Sequence, residues 1–517
     1  MIKVVFPFDA VTQAELLKIR PRGFWHGPGE GWEFPLAAAI ALRSLLGHRF
    51  VVKQDLAEWF NWFDYPLPPL PKHRDLISKA DLDVLLSDGR RPLPHQQIGA
   101  RWLLSRKGAL LADEMGLGKT LTALLAARAM FRVSDLSVMV VAPAGLHAHW
   151  RQEACVLDVP IQLHSWASLP RDLLPVGTLL VVDEAHFAQS LKSKRTKALL
   201  RLARHPRLRA IWMLTGTPMK NGRPIELYPL LAAIQHPLAE NQRTFEKYFC
   251  QGHWREHHSR LIWDCRGASN LGELRRLVRP LMLHRKKQGC LNLPPKVRKE
   301  HTVCLSNAES RGFDHRLTLV LDEYRRRVQE GLVQSEAESL VVLTALRQIA
   351  AEYKLPSVSD FVRKLIRLEE PVVLFSAFIQ PLKLLQNRLG GVLLTGQQSL
   401  KKREIAVNLF QKGEANLLLA TYGTAGVGYT LHRARNVILL ERPWTPGDAA
   451  QAEDRCHRIG MNGSLTSHWF QLGLADEFVD SLLLNKANQI NMLMDQDVHT
   501  AQLQSMPRLL QSFLHEL

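Results

Sequence analysis

Asp113-Glu-Met-Gly-Leu-Gly-Lys-Thr120 follows the apolar run Ala109–Ala112 and opens into the helical pattern Leu121–Met130. A strand, a glycine-rich turn and a helix, in that order, build a cradle for phosphate. Gly116 and Gly118 let the backbone approach the oxygens, and the N-terminus of the helix favours their negative charge. Lys119 is placed to reach the β- and γ-phosphates and Thr120 to ligate a divalent cation, so ATP and Mg2+ are the expected ligands. The general pattern asks for glycine six positions before the lysine, where this chain has Asp113.

The next informative stretch, Leu179-Leu-Val-Val-Asp-Glu-Ala-His186, sets two carboxylates at the end of an apolar strand. Ligands of α/β sheets bind at that edge. Asp183 would hold Mg2+ and Glu184 would polarise the attacking water. An acid pair alone more often caps a helix; its weight comes from lying 63 residues after Thr120, behind a strand of buried character. A third stretch, Gln451-Ala-Glu-Asp-Arg-Cys-His-Arg458, carries Arg455 and Arg458 three apart, on one face of a helix. Such a pair is ordinarily a solvated face, but beside the first two stretches it is suited to neutralise a transferring phosphoryl group.

Apolar runs alternate with helical patterns on either side of these motifs. The first series is Ala109–Ala112, Val138–Ala142, Leu179–Val182 and Ile211–Thr215; the second is Val372–Phe375, Val392–Thr395, Leu417–Thr421 and Val437–Leu440. Strand–helix alternation predicts parallel sheets covered by helices. The reading is an α/β fold of two recA-like parallel-sheet lobes with a P-loop, helical insertions and a small N-terminal α+β module. Residues 1–88 form the Trp-rich module (Trp25, Trp32, Trp59, Trp62) with its proline linker Pro66–Pro71. Lobe 1 is expected at 89–244, a largely helical basic clamp at 245–370, lobe 2 at 371–474 and C-terminal helices at 475–517.

The 517 residues are 46% hydrophobic and 22% charged, as in soluble globular proteins. No apolar run approaches the length of a membrane span, and the start lacks the pattern of a secretory signal. Six scattered cysteines without a C-x-x-C pair fit a reducing compartment, so a cytoplasmic monomer away from membranes is expected, nucleoid-associated if bacterial. The net charge is +18. Residues 1–90 hold 11 basic and 11 acidic side chains, whereas 245–305 hold 13 and 5, a net +8. A basic stripe within the body of a protein suits a polyphosphate partner.

Together these segments resemble a superfamily-two helicase motor of the Swi/Snf branch. Pro94-His-Gln-Gln-Ile-Gly99, Leu214-Thr-Gly-Thr-Pro218, Ala420-Thr-Tyr-Gly-Thr-Ala-Gly-Val-Gly-Tyr429 and Gln451–Gly460 match further motifs in the family's order, over about residues 90–490. Gly222–Tyr228, Gly267–Leu274, Met282-Leu-His-Arg-Lys-Lys287 and Leu293-Pro-Pro-Lys296 are similar to the annealing-helicase, fork-remodelling sub-branch, and residues 20–52 to its HARP module. Val427, Tyr429 and Met461 depart from the branch's usual residues without removing a charged group. The resemblance implies a DNA-stimulated ATPase that translocates on double-stranded or forked DNA. Lys119, Asp183, Glu184, Arg455 and Arg458 would be catalytic. Gln96, Gly116, Gly118, Thr120 and Gln451 would join the nucleotide contacts. Thr215, Thr421, Arg285, Lys286 and Lys287 would touch DNA. No wedge hairpin is evident, which favours duplex tracking over a strand-separating DNA or RNA helicase. The intact charged set argues against a non-catalytic scaffold.

Overall fold

The computed structural model describes residues 2–494 except 8, 20–21, 28, 35–37, 48–50, 54–56, 58–81, 134–135, 171–173, 258–259, 331–335, 426–428 and 462. Trp59, Trp62, the cluster Pro66–Pro71, Val427 and residues 495–517 lie outside the described residues. The N-terminal module is a small antiparallel sheet, in which β1 (Ile2–Val4) and β2 (Phe24–Trp25) flank β3 (Trp32–Phe34). Asp9 caps the helix Ala10–Leu16 by accepting from the backbone N–H groups of Val11 and Thr12. The buried residues Ile2, Val4, Leu16 and Phe34 belong to a core cluster that continues into lobe 1.

Lobe 1 is a wholly parallel six-stranded sheet. In chain order its strands are β4 (Gly108–Leu111), β5 (Ser137–Ala142), β6 (Ile161–Ser165), β7 (Thr178–Val182), β8 (Leu208–Leu214) and, beyond a hairpin of β9 (His253–His257) and β10 (Arg260–Asp264), β11 (Met282–Leu283). Their order across the sheet is β11-β4-β8-β7-β5-β6. Every residue of β4 and β7 is buried, because helices cover both faces. Alternate side chains divide between two cores. Ala109, Leu111, Leu179 and Val181 face the helices Pro94–Leu104, Lys119–Val133 and His147–Leu157, while Leu110, Leu180 and Val182 face the cluster containing Leu199, Leu230, Phe245 and Leu274.

Lobe 2 repeats the plan with β12 (Lys296–Thr302), β13 (Val372–Ser376), β14 (Val392–Leu394), β15 (Leu417–Thr421), β16 (Asn436–Leu439) and β17 (Leu465–Gln471), in the order β12-β17-β16-β13-β15-β14. All its pairings are parallel. The C-terminal helix Gly473–Met494 spans the two lobes. On lobe 2 its Asp476 pairs with Lys354 at 2.5 Å and its Asp480 with Arg442 at 2.6 Å, whereas Leu493 is buried in the lobe 1 cluster.

The stretch 245–370, expected to be largely helical, divides between the lobes. It begins in the helix Gln242–Phe249, forms the β9–β10 hairpin and the helix Leu271–Val278, sends β11 to the first sheet and β12 to the second, and is helical again over Asn307–Gln329 and Glu336–Arg367. The hairpin joins neither large sheet; Trp254 and Trp263 meet across it at 5.5 Å, with the Arg243 guanidinium 3.7 Å from the Trp263 ring centre. An antiparallel hairpin therefore lies within a stretch read as largely helical. Among the described residues no helix is long and apolar enough to cross a membrane.

His236 pins the first lobe's lower layer. Its Nδ1 accepts from Leu238 N at 3.1 Å and its Nε2 lies 3.1 Å from the Leu277 carbonyl, which it reaches as an N–H donor. Burial pushes this imidazole down to about 4, against the pull of the Leu277 carbonyl. A depressed histidine supports the fold above pH 6.5, and that support is lost as pH falls through about 4. The shift corresponds to about 3 kcal/mol. Thermal melts from pH 7 down to 4 should therefore show a shallower acid loss in His236→Gln than in the wild type.

Candidate nucleotide site between the lobes

Each side of the cleft is built by a strand that ends and releases its chain over the sheet edge. After β4 the backbone turns through Gly116 (φ +88°) and Gly118 (φ +76°) into the helix starting at Lys119, with Thr120 next on its first turn. The positive φ of both glycines disfavours a side chain, and the space above them is tight. A Cβ on Gly116 would lie 3.1 Å from Lys287 Cε, and one on Gly118 would collide with the Gln96 amide. Lys119 Nζ is held over the turn by the Asp113 carbonyl at 2.8 Å. Desolvation in the cleft lowers its pKa, opposed first by the charge of Glu184. Gln96 is buried, accepting from Leu93 N at 2.9 Å and donating to Leu117 O at 3.3 Å, so it rests on the phosphate turn.

Asp113 departs from the usual glycine, and its environment explains why it is tolerated. Arg285 clamps its carboxylate at 3.0 and 2.5 Å and also donates to the His95 carbonyl. Burying a carboxylate costs little when a fork of guanidinium N–H groups meets it. Arg285, expected on DNA, is committed here instead.

Asp183 and Glu184 leave β7 with Glu184 in the left-handed region (φ 49°). The Asp183 carboxylate accepts from Trp150 Nε1 at 2.9 Å and from the Glu184 N–H at 2.8 Å, while Trp166 Nε1 donates to its carbonyl at 3.0 Å. Burial, then the neighbouring Glu184 charge, pushes Asp183 up to about 6. Burial also acts to raise Glu184, but the His186 ring 3.2 Å away, with Lys119 and Arg455, outweighs it and holds Glu184 down at about 2. Trp150 and Trp166 carry no motif signal, since a lone aromatic 33 or 17 residues from its acceptor has no fixed spacing, whereas His186 closes the acidic motif itself.

The helix Pro446–Cys456 of lobe 2 brings the other half. Burial, then the adjacent Arg458, pushes Arg455 down to about 9, while Glu184, Asp454 and Asp183 pull the other way. Arg458 donates to Thr430 Oγ1 at 3.1 Å, and its Cγ lies 3.8 Å from where a Gly116 Cβ would stand. Arginines from lobe 2 thus face the lysine and the acids of lobe 1. Gln451 is buried on the same helix. Contacts across the cleft include Lys220 with Asp448 at 2.9 Å, Lys287 with Asp454 at 2.8 Å and Thr217 packed on Gly447.

The expected DNA residues fare unevenly. Thr215 is fully buried and its hydroxyl accepts from Thr217 N at 3.1 Å, capping its own turn. Lys287 is buried in the cleft on Asp454. Neither faces solvent as a DNA contact needs. Lys286 is exposed, and Thr421 stands half-buried at the end of β15 with its hydroxyl 2.8 Å from that of Thr424.

A phosphate turn on one parallel-sheet lobe, facing acids on the same lobe and an arginine pair on a second, defines the two-lobed helicase-like ATPase class. Residues 95–155 and 174–355 match the SNF2-related domain, and residues 357–460 the helicase conserved C-terminal domain. The chain belongs to the SNF2-related family. DNA annealing helicase and endonuclease ZRANB3 of Mus musculus is 30% identical over 469 residues, 82% of this chain and 43% of that protein. Its Homo sapiens counterpart is 29% identical over 438 residues, 77% and 39% of the two chains. The Caenorhabditis elegans homologue of SWI/SNF-related matrix-associated actin-dependent regulator of chromatin subfamily A-like protein 1 is 27% identical, covering 94% of this chain and 73% of its own. The chain therefore spans about two fifths of the length of the first two relatives.

Trp150 is fully buried and makes the hydrogen bond that orients Asp183. Trp150→Phe keeps the packing and removes the N–H donor. It should cost about 1–3 kcal/mol in urea unfolding, as expected when a buried carboxylate loses a partner.

Proposed function

We propose that this protein is an ATP-driven translocase on double-stranded DNA, acting on forked or repair intermediates or displacing proteins bound to them. The observation that carries the reading is the meeting of Lys119, Asp183 and Glu184 with Arg455 and Arg458 across one cleft. ATP and Mg2+ suit these residues. The glycine turn disfavours a side chain but exposes backbone to phosphate, and the buried acids and cations are of the types that hold a metal–triphosphate. Thr120 and Asp183 would hold the cation, which when bound offsets charge on the β- and γ-oxygens.

Glu184, kept ionised, accepts the proton of the water whose oxygen attacks the γ-phosphorus. The bond to the bridging oxygen breaks, and ADP and phosphate leave. Lys119, Arg455 and Arg458 offset the charge spread over the transferring group. Because the charges come from separate lobes, the triphosphate draws the lobes together and its loss lets them part. Alternate grip on a backbone would turn that motion into travel. Thr421, Lys286 and the rim Pro143–Ala144 are the proposed grips, suited to sequence-independent contact with phosphates. The surplus of basic over acidic residues in 245–305 supplies further attraction. Relatives named as DNA annealing helicases support DNA as the partner. The protein is read as an intracellular monomer.

Phosphate release should be measured in parallel with single-stranded, duplex and forked DNA, alongside triplex displacement. Duplex or forked DNA should stimulate turnover most, and triplex should be displaced without strand separation. Glu184→Gln should lower kcat by about 100-fold or more, as loss of a general base does. Equal phosphate release by wild type and Lys119→Ala with DNA present would end the enzymatic reading.

A further inference from the structure

The chain passes from one sheet to the other over residues 284–295, and its lobe 1 end runs beside the phosphate turn. Ala112 N donates to Leu283 O at 2.7 Å and Glu114 N to Arg285 O at 3.0 Å; Lys287 N then donates to the Glu114 carboxylate at 2.7 Å. With the Arg285 clamp on Asp113, residues 283–287 are tied to the turn almost residue by residue. The Lys287 side chain then leaves lobe 1. Its stem lies over Gly116, and its Nζ reaches Asp454 Oδ1 at 2.8 Å and the His457 carbonyl at 3.2 Å. Asp454 directly precedes Arg455, and its carbonyl accepts from Arg458 Nε at 3.1 Å. Beyond the crossing the chain is fastened to lobe 2, where the Pro294 carbonyl lies 2.7 Å from His457 Nε2 and the Pro295 carbonyl accepts from Leu465 N at 2.9 Å.

We propose that Lys287 is a positioning residue that locks the arginine pair onto the phosphate turn when the lobes close. Its backbone belongs to lobe 1 and its ammonium to lobe 2, so the contact forms only in the closed arrangement. The charged groups around it fit that role. Asp454 takes Lys287 at 2.8 Å and Lys296 at 3.6 Å; Lys296 is chiefly held by Glu453 at 3.1 Å, which also takes Arg298 at 2.9 Å. Lys296 and Arg298 lie on β12 of lobe 2 and hold the helix to its own sheet, whereas Lys287 ties it across the cleft. A buried ion pair contributes little net stability, yet it sets register because breaking one side leaves a bare charge. Here the register is that of Arg458 over Gly116, with Arg455 on the same helix facing Glu184.

The inference rests on the ATP-hydrolysing reading, and its test separates the two. Steady-state hydrolysis with saturating duplex DNA is measured for wild type, Lys287→Met, Lys287→Arg, Asp454→Asn, the Met/Asn double variant, and Lys287→Asp combined with Asp454→Lys. Binding of a fluorescent ATP analogue is measured in each. Lys287→Met and Asp454→Asn should each lower kcat about tenfold, with the double variant no worse than either, as coupled neighbours behave. The KM for ATP and analogue binding should stay within about twofold of wild type, because the phosphate turn remains intact. Lys287→Arg and the reversed pair should recover part of the loss. An unchanged kcat in Lys287→Met, losses that multiply in the double variant, or analogue binding lost as fully as turnover would overturn the assignment. Retained analogue binding also reports that a variant has folded. A wild type without turnover would instead remove the ATPase reading.

Discussion

Positive charge crowded into a cleft that water barely enters is the constraint on which the molecule turns. Arg458 lies close enough to weaken the hold of both Arg455 and Lys119 on their protons, and Lys119 faces the pair from the opposite lobe. In low dielectric such repulsion is costly, and the carboxylates of Glu184, Asp454 and Asp183 offset only part of it. The arrangement is tolerable because it is electrostatically unfinished. A polyanion between the lobes would add negative charge within reach of both sides and draw them towards it. Two rigid sheets make that pull directional, since neither lobe can deform to relieve it locally.

Most of this was legible from residue order, for a physical reason. Strands buried on both faces read as unbroken apolar runs, and the central strands β4, β5, β7 and β8 of lobe 1 and β13, β15 and β16 of lobe 2 fall within a few residues of the runs that announced them. The strands that escaped notice are shielded on fewer sides or interrupted. Edge strand β12, Lys-Val-Arg-Lys-Glu-His-Thr, is exposed along most of its length and reads as a charged loop. In β17, buried Ser467 and His468 break the apolar pattern, because hydrogen bonds to Glu453 and Asn436 satisfy them from neighbouring elements. β11 is two residues long.

The site divides along the same line. Motifs whose spacing is local, the glycine turn and the two acids, lie at the strand ends where their order in the chain put them. Basic residues are less legible, because a sequence reports a charge and not its partner. Arg285 is answered by Asp113, 172 positions earlier, and Lys287 by Asp454. The one mismatch in the phosphate motif and one misplaced DNA contact are thus the two ends of a single ion pair. Thr215 was misassigned for a related reason: a hydroxyl in a turn is as readily spent on its own backbone as on a ligand.

Lys354 sits without solvent exposure in lobe 2, neutralised by Asp476 and by the carbonyls of Leu440 and Phe470. Its counter-charge arrives more than a hundred residues later in the chain. During synthesis that ammonium meets the buried Glu441 first, and its direct ion-pair partner comes only with the C-terminal helix. The first lobe's sheet needs nothing beyond Leu283 and can be assembled long before. Order of synthesis thus sets an order of assembly, with the glycine turn in place before the arginine helix and its C-terminal brace.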